Sequence, residues 1–116
     1  MIKRPSKIYL AYGPTDLRAG IDGYARIVQD RFMLDPFSDS MYCFCNKGHN
    51  KLKILYWDGN GFWLLYKRLE KHTFKWPKIK DSLTNMVINE QQLAWLLEGL
   101  SIEQKRAFKK TETKYI

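Results

Sequence analysis

The sequence predicts an α+β domain: a small, mainly antiparallel sheet of three to five strands, with a helix from the N-terminal half and a C-terminal helix packed on it. Three observations favour this class. Residues 41–69 contain short, strongly apolar runs separated by turn sequences, as expected for neighbouring strands. Apolar residues recur at helical spacing in residues 17–32 and 93–100. With 116 residues, 45% of them apolar, the chain can bury one core.

The N-terminal third is expected to form a strand and then a helix. KIYLAY, residues 7–12, is typical of a short strand, and GPT ends it. Thr15 is expected to cap a helix that runs to about Phe32. An apolar stripe at helical spacing supports the helix: Leu17, Ile21, Tyr24, Val28 and Phe32. Two glycines inside it, Gly20 and Gly23, indicate close packing against a neighbouring backbone.

The central third is expected to form three consecutive strands: MYCFCN, KLKILYW and FWLLYKRLE. KGHN and DGNG are the intervening turns, and TFKW is a candidate for a short fourth strand. If Gly59 and Asn60 form a two-residue turn, Trp57 pairs with Phe62. A three-residue turn would instead move every side chain of the second strand to the other face. The sequence leaves both registers open.

The C-terminal part is expected to form a helix after a polar connector. Asn89 followed by Gln92 resembles a capping box, and Gly99 suits a helix stop. Four leucines form the apolar stripe of this helix: Leu93, Leu96, Leu97 and Leu100. We assign residues 1–100 to a single domain and residues 101–116 to a basic helix or tail.

Cysteine content and hydropathy exclude several classes of protein. Cys43 and Cys45 are one residue apart and share a strand face, where cysteines rarely bridge. A disulfide framework is therefore excluded, and a reducing cytoplasm is the expected location. No apolar run reaches the roughly 18 residues of a membrane span, and the N terminus lacks the apolar region of a signal peptide. Membrane association is not expected.

No set of residues predicts an active site, so we expect a protein that is not an enzyme and needs no cofactor. Structural zinc takes four ligands, whereas Cys43, Cys45 and His49 offer three. Two-metal phosphoryl chemistry needs several converging carboxylates, but the acidic residues fall mainly in loops and on the first helix. Asp58 in WDGNG is better explained as a turn residue.

Positive charge is concentrated in the centre of the chain. Residues 51–80 contain eight basic and two acidic side chains and so carry most of the formal charge of +8. Most aromatic rings of this stretch are expected in the core, whereas the cations are candidates for phosphate contact. A base could stack on an exposed Tyr66 or Trp76. The candidate nucleic-acid-binding residues are Arg18, Lys51, Lys53, Lys67, Arg68, Lys71 and Lys75.

Two features of the sequence have alternative interpretations. Asp16 and Arg18 either begin the first helix and its i,i+4 ladder of opposite charges, or Arg18 lies beside the hairpin cations and extends one phosphate-binding surface. The hairpin also has more apolar side chains than one core face needs, which indicates a surface for a protein partner. The candidate partner-binding residues are Leu55, Trp57, Phe62 and Tyr66.

Four segments of the sequence resemble a known family. They are YGPTDLRAGIDGYARIV, LDPF, KLKILYWDGNGFWLLYKRLEKHTFKW and LLEGL. Over about residues 7–100 they are similar to the TnpB accessory protein of insertion-sequence 66 family transposons. That family is distinct from the much larger RNA-guided nuclease that shares the TnpB name. The CxC at Cys43 and Cys45 and the tail after Leu100 lie outside the shared pattern.

The resemblance implies a bacterial mobile-element protein that acts in transposition beside a separate DDE-type transposase and has no established catalytic activity. Our preferred hypothesis is a noncatalytic accessory protein that binds DNA at the transposon ends or assembles the transposase complex. The alternative is a protein–protein interaction module that docks on the transposase, or on the other accessory subunit of the same element, without touching DNA. A small metal nuclease is a third interpretation, based on genetic context alone. The sequence leaves the oligomeric state open.

Overall fold

The computed structural model describes residues 4–104 and confirms the α+β class. Its elements in chain order are β1 (Ile8–Ala11), α1 (Ile21–Asp30), β2 (Met41–Cys45), β3 (Lys51–Trp57), β4 (Phe62–Arg68), β5 (Asn85–Ile88) and α2 (Glu90–Leu97). They form one five-stranded sheet in the order β4-β3-β2-β1-β5. Only the β1–β2 pair is parallel among the described strands. Residues 105–116 of the expected basic tail lie outside the described part of the chain.

The β3–β4 hairpin has the two-residue turn. Trp57 pairs with Phe62, and the Asp58 N–H donates to the Gly61 carbonyl at 3.0 Å. The Asp58 carboxylate accepts hydrogen bonds from the Gly61 N–H at 3.2 Å and from the Trp63 indole N–H at 2.7 Å. The bond from Trp63 is the main cause that lowers the pKa of this carboxyl. The hydrogen bonds that the Asp58 carboxylate accepts therefore stabilise the two-residue turn, one of the two registers that the sequence left open.

Each face of the sheet buries its own core. On one face of the sheet, Tyr42, Phe44 and Leu55 pack against Tyr24 and Val28 of α1. On the opposite face, Leu10, Cys43 and Ile54 share a core with Leu96 of α2 and with Phe74 and Trp76. Alternation along β3 supplies both cores, because Ile54 and Leu55 point to opposite sides. The two helices thus pack on the sheet as predicted, and they lie on its opposite faces.

The first helix begins later than the sequence suggests, so the expected cap at Thr15 is wrong. Helix α1 starts at Ile21 with Gly20 as its N-cap, and residues 13–20 form a loop. The Thr15 N–H donates instead to the carbonyl of Cys45 at 2.8 Å, at the end of β2. A bond to the sheet therefore replaces the first helical turn. Arg18, in the loop, cannot start the expected helical charge ladder.

The close contact expected at a glycine of the first helix involves a side chain rather than a neighbouring backbone. A Cβ at Gly23 would lie 2.9 Å from the Cβ of Ala19, which belongs to the preceding loop. A larger residue at position 23 would therefore push against this loop, which leads into α1. At Gly20, no atom of the described residues lies within 4 Å of such a Cβ, so crowding by them does not explain this glycine.

The segment TFKW is not a strand, and that expectation is wrong. Its backbone N–H at Phe74 donates to the His49 carbonyl at 2.7 Å, and the Trp76 indole donates to the Ala11 carbonyl at 2.8 Å. Both rings are buried in the α2-side core. The segment is thus fixed by side-chain burial, while the further strand comes from β5, which pairs antiparallel with β1.

The C-terminal helix has both the capping box and the glycine stop that the sequence predicts. The Asn89 carboxamide accepts the Gln92 N–H at 2.8 Å, and the Gln92 side chain accepts the Asn89 N–H at 2.9 Å, which completes the capping box. Gly99 follows the helix with a φ of 86°. Leu96 is fully buried whereas Leu100 is 43% exposed, so burial along the apolar stripe decreases at its C-terminal end. Among residues 4–104 no helix is both long and apolar enough to cross a membrane.

Candidate nucleic-acid interface

An open cavity of about 780 Å³ lies on the α1 side of the sheet, where β2 ends and β3 begins. We call it the basic cleft. One wall is the loop segment 14–18, the other is the β2–β3 turn at 46–48, and the strands contribute Lys51, Lys53, Leu64 and Tyr66. The described part of the chain contributes to the lining four cations, Arg18, Lys47, Lys51 and Lys53, and one carboxylate, Asp16.

Two hydrogen bonds hold the loop wall in place. The Thr15 N–H donates to the carbonyl of Cys45 at 2.8 Å, and the Lys53 ammonium donates to the carbonyl of Leu17, also at 2.8 Å. Residues far apart in sequence thus fasten a segment without regular structure to β2 and β3. The cleft is therefore a product of tertiary structure, because neither wall would keep its position without the sheet.

Lys53 lies between two aromatic rings. Its ammonium is 5.8 Å from the ring centroid of Tyr24 and 5.6 Å from that of Tyr66. Both distances are within the range of cation–π attraction. Tyr24 is fully buried, whereas Tyr66 is 53% exposed and borders the cleft. Lys53 therefore links the core to an exposed ring and helps to orient that ring.

Arg18 is held by its neighbour Asp16. The guanidinium makes contacts of 2.7 to 3.2 Å with both carboxylate oxygens, and the Arg18 N–H donates to the same carboxylate at 3.0 Å. These hydrogen bonds lower the pKa of Asp16 to about 2. The pair is exposed, and exposed ion pairs contribute little net free energy. An incoming phosphate can therefore compete for Arg18.

The β2–β3 turn is stiffened by two asparagines and presents a further lysine. The Asn46 carboxamide oxygen accepts the N–H groups of Asn50 and Lys51 at 3.1 and 3.0 Å, and its nitrogen donates to Asn50 at 2.8 Å. This bonding presents Lys47, which is exposed, at the rim of the cleft. Sequence reasoning missed Lys47. Its position in the turn between two strands that carry cleft residues was the available signal.

The structure places the seven predicted nucleic-acid-binding residues in several locations. Arg18, Lys51 and Lys53 meet in the cleft. Lys67 projects from the opposite face of β4, since it pairs with Leu52, and its ammonium donates to the Leu97 carbonyl at 2.7 Å, at the end of α2.

The three remaining cations lie outside the cleft lining. Arg68 pairs with Glu70 at 2.8 Å, which raises the pKa of this arginine. Lys71 is exposed beyond the end of β4. Lys75 borders a second cavity, of about 570 Å³, next to Trp76. Arg68 nevertheless lies beside the cleft, because it pairs with Lys51 on the same face of the sheet. Lys67, Lys71 and Lys75 lie apart from the residues that line the cleft.

Comparison with known proteins decides the family. The family described as IS66 Orf2 like protein matches residues 6–107. The chain belongs to this family. It is 32% identical to two proteins of Sinorhizobium fredii that are described only as uncharacterized. One of them, named y4hO, matches over 94 residues, which are 81% of this chain and 80% of the relative. The other, named y4jC, matches over 97 residues, which are 84% of this chain and 81% of the relative. No solved structure matches the chain.

Membership in the IS66 Orf2 like family confirms the resemblance drawn from the sequence and associates the chain with IS66 transposition. The motifs that carried the resemblance form two parts of the structure. GPTDLR supplies the loop wall of the basic cleft, and YWDGNGF forms the hairpin turn. The first of these motifs therefore builds a cavity rather than a helix start.

The IS66 Orf2 like protein also carries an aromatic cluster next to the hairpin turn. The rings of Phe37, Trp57 and Phe62 lie with centroids 4.9 to 5.3 Å apart. Phe37 is 54% exposed, whereas Trp57 and Phe62 are half-buried. Of the four predicted partner-binding residues, Leu55 is fully buried beneath α1 and offers no surface, and Tyr66 lies in the cleft. Phe37, which the sequence reasoning did not select, completes the cluster.

The two cysteines of this IS66 Orf2 like protein face the α2-side core. Both are free and buried. Burial raises the pKa of both thiols, that of Cys45 to about 12. The part of the chain described by the structure gathers no group of three or more His, Cys, Asp or Glu side chains that could hold a metal ion. The thiols therefore act as apolar core groups.

Proposed function

We propose that this protein is a noncatalytic accessory factor of an IS66 transposition system that binds DNA at the transposon ends through the basic cleft. The observation that carries the proposal is the convergence of four cations on one open cavity with a single carboxylate. Family membership supplies the genetic setting.

Electrostatics supports binding of a phosphate backbone. Among residues 4–104, neither Lys47 nor Lys51 has an acidic partner within ion-pair distance, so their charges are available. Arg18 can exchange its exposed carboxylate partner for a phosphate. Release of counterions from DNA would then drive association, and the affinity would fall steeply with added salt.

The arrangement supports binding rather than catalysis. Within residues 4–104, Asp16 is the one carboxylate that lines the cleft, and Arg18 occupies both of its oxygens. Metal-assisted cleavage of DNA uses several free carboxylates around the ions. The transposase would then supply the strand chemistry while this protein holds or marks the DNA.

The test is binding to a labelled duplex of the transposon end, measured by fluorescence anisotropy at two salt concentrations. With roughly three phosphate contacts, from Arg18, Lys47 and Lys51, we expect affinity to fall on the order of 40-fold between 50 and 200 mM salt. Lys51→Gln should weaken binding and reduce the salt slope by about 1. Lys67→Gln is the matched control, because it removes one charge from the opposite face of the same hairpin. Absence of binding, or an equal effect of the two variants, would contradict the proposal.

The aromatic cluster favours a second function, docking on the transposase or the other accessory subunit of the same element. An exposed ring that packs on two half-buried rings is an arrangement common in the centre of protein interfaces. Phe37→Asp should abolish co-purification with the partner without unfolding the domain, because Phe37 is already half exposed. Val87→Asp, at an equally exposed position on β5, is the control. Unchanged co-purification of the Phe37 variant would exclude this surface.

A further inference from the structure

We infer that the basic cleft accepts single-stranded DNA, with one base stacked on Tyr66 and the adjoining phosphates held by Lys47, Lys51 and Arg18. The inference rests on the proposed function and adds a second form of DNA that the cleft accepts. A strand that is unpaired at the transposon end, or opened there during strand transfer, would be its ligand.

Tyr66 has the properties of a stacking platform. It projects from β4 at the edge of the sheet, lines the cleft and exposes about half of its surface. Lys53 lies 5.6 Å from its ring centroid, and Leu64 lines the cleft beside it. Most exposed tyrosine side chains are free to rotate, whereas this ring is held by a cation that the Leu17 carbonyl itself fixes. Stacking on a preorganised ring loses little conformational entropy.

The size of the cleft also fits a nucleotide unit. A volume of about 780 Å³ lies within the range of sites for small ligands, so one or two nucleotides can enter. A duplex offers no base face to Tyr66, because its bases are stacked on one another inside the helix. Single strands expose those faces, and proteins that bind them combine aromatic rings with a cationic groove.

The cations lie where a backbone would run. Lys47 lines the cleft from the β2–β3 turn, Arg18 lines it from the loop wall, and Lys51 lines it from β3. A strand that places a base on Tyr66 would therefore extend its phosphates between the walls. The Lys53 ammonium already donates to the Leu17 carbonyl and lies near the rings of Tyr24 and Tyr66. It therefore orients Tyr66 rather than serving as the main phosphate contact.

The experiment compares a labelled oligothymidine of twelve nucleotides with a duplex of equal length at one salt concentration, using the full chain. We expect Tyr66→Ala to lower affinity for the single strand by roughly 5- to 100-fold and to change duplex affinity less than about 2-fold. Tyr66→Phe should retain binding, because the ring is kept. Phe37→Ala, which removes an equally exposed ring that does not line the cleft, should have no effect on the single strand. Circular dichroism verifies that each variant is folded.

The outcomes separate this inference from the proposed function. Duplex binding without oligothymidine binding would overturn the inference and leave the proposed function standing. If the chain binds neither the duplex nor oligothymidine, both the inference and the proposed function are overturned. Oligothymidine binding that Tyr66→Ala leaves unchanged, or an equal loss for both DNA forms, would overturn the role of Tyr66.

Discussion

The ammonium of Lys53 donates a 2.8 Å hydrogen bond to the carbonyl oxygen of Leu17, which is 36 residues earlier in the chain. This bond ties the loop wall of the basic cleft to the middle of the sheet. It also explains why a lysine is half-buried among apolar side chains on the α1 face: its head group has a defined acceptor and two ring partners.

Removing that bond should loosen the cleft. We expect Lys53→Met to lower the free energy of unfolding by about 1 kcal/mol, because the methionine keeps the apolar stem but leaves the Leu17 carbonyl without its donor. Urea denaturation measures the change, and faster hydrogen exchange of the Thr15 amide would locate it in the loop. Lys51→Met is the control, since it removes the same charge from the same strand without a carbonyl bond. Equal stability of the two variants would show that the bond has no structural role.

Gly13 is required by its backbone conformation. Its φ is 77°, and a Cβ there would lie 3.1 Å from the side chain of Ile79. Gly13→Ala should therefore lower the free energy of unfolding by about 1 kcal/mol or more. Gly61 provides the comparison, because its φ is not positive and a Cβ there would meet nothing within 4 Å. A thermal melt should show Gly61→Ala close to the parent and Gly13→Ala clearly lower.

Two buried tyrosines should respond in opposite ways to loss of the hydroxyl. The Tyr24 hydroxyl finds no hydrogen-bond partner among residues 4–104, and burial raises its pKa to about 12. Tyr24→Phe removes an unsatisfied polar group and should stabilise the fold by about 1 kcal/mol.

The Tyr42 hydroxyl, in contrast, donates to the Asp35 carbonyl at 2.8 Å and lies 3.0 Å from the Ser38 hydroxyl. Tyr42→Phe should therefore destabilise the fold by about 1 kcal/mol, because it leaves both groups short of a partner. Chemical denaturation of the pair measures both changes. The same sign for both variants would contradict this account of the two hydroxyls.

The buried thiols should make the fold less stable in alkaline solution. Burial raises the pKa of Cys45 from 9.0 to about 12, and that of Cys43 is raised as well. Folded protein therefore keeps protons that the unfolded chain loses above pH 9, so this contribution to stability is complete below pH 9 and declines as the pH rises towards 12.

The measurement for the thiols is the free energy of unfolding between pH 8 and 10.5, compared with a Cys43→Ala, Cys45→Ala double variant. The parent should lose stability faster over this range, by up to about 1.4 kcal/mol per pH unit for each thiol. Parallel curves would mean that the thiols do not titrate differently in the two states. In the same protein, a disulfide-exchange reagent at pH 8 should label the cysteines only after unfolding.

Local signals determined much of the fold. The sequence by itself predicted β1 to β4, the hairpin turn and α2, because alternation, turn chemistry and a capping box act between residues close together in the chain. It also shows that positive charge is concentrated in residues 51–80. The family resemblance followed from the same segments and was confirmed.

Tertiary structure alone decided the rest, because the deciding contacts join residues far apart in sequence. The Trp76 indole reaches the Ala11 carbonyl across 65 positions, which places TFKW in the core instead of in the sheet. The bond from Thr15 to Cys45 turns an apparent helix start into a cleft wall. Lys51 and Lys67 look equivalent in a list of basic residues, yet the register sends them to opposite faces. Which cations share a surface depends on that pairing, and no local pattern specifies it.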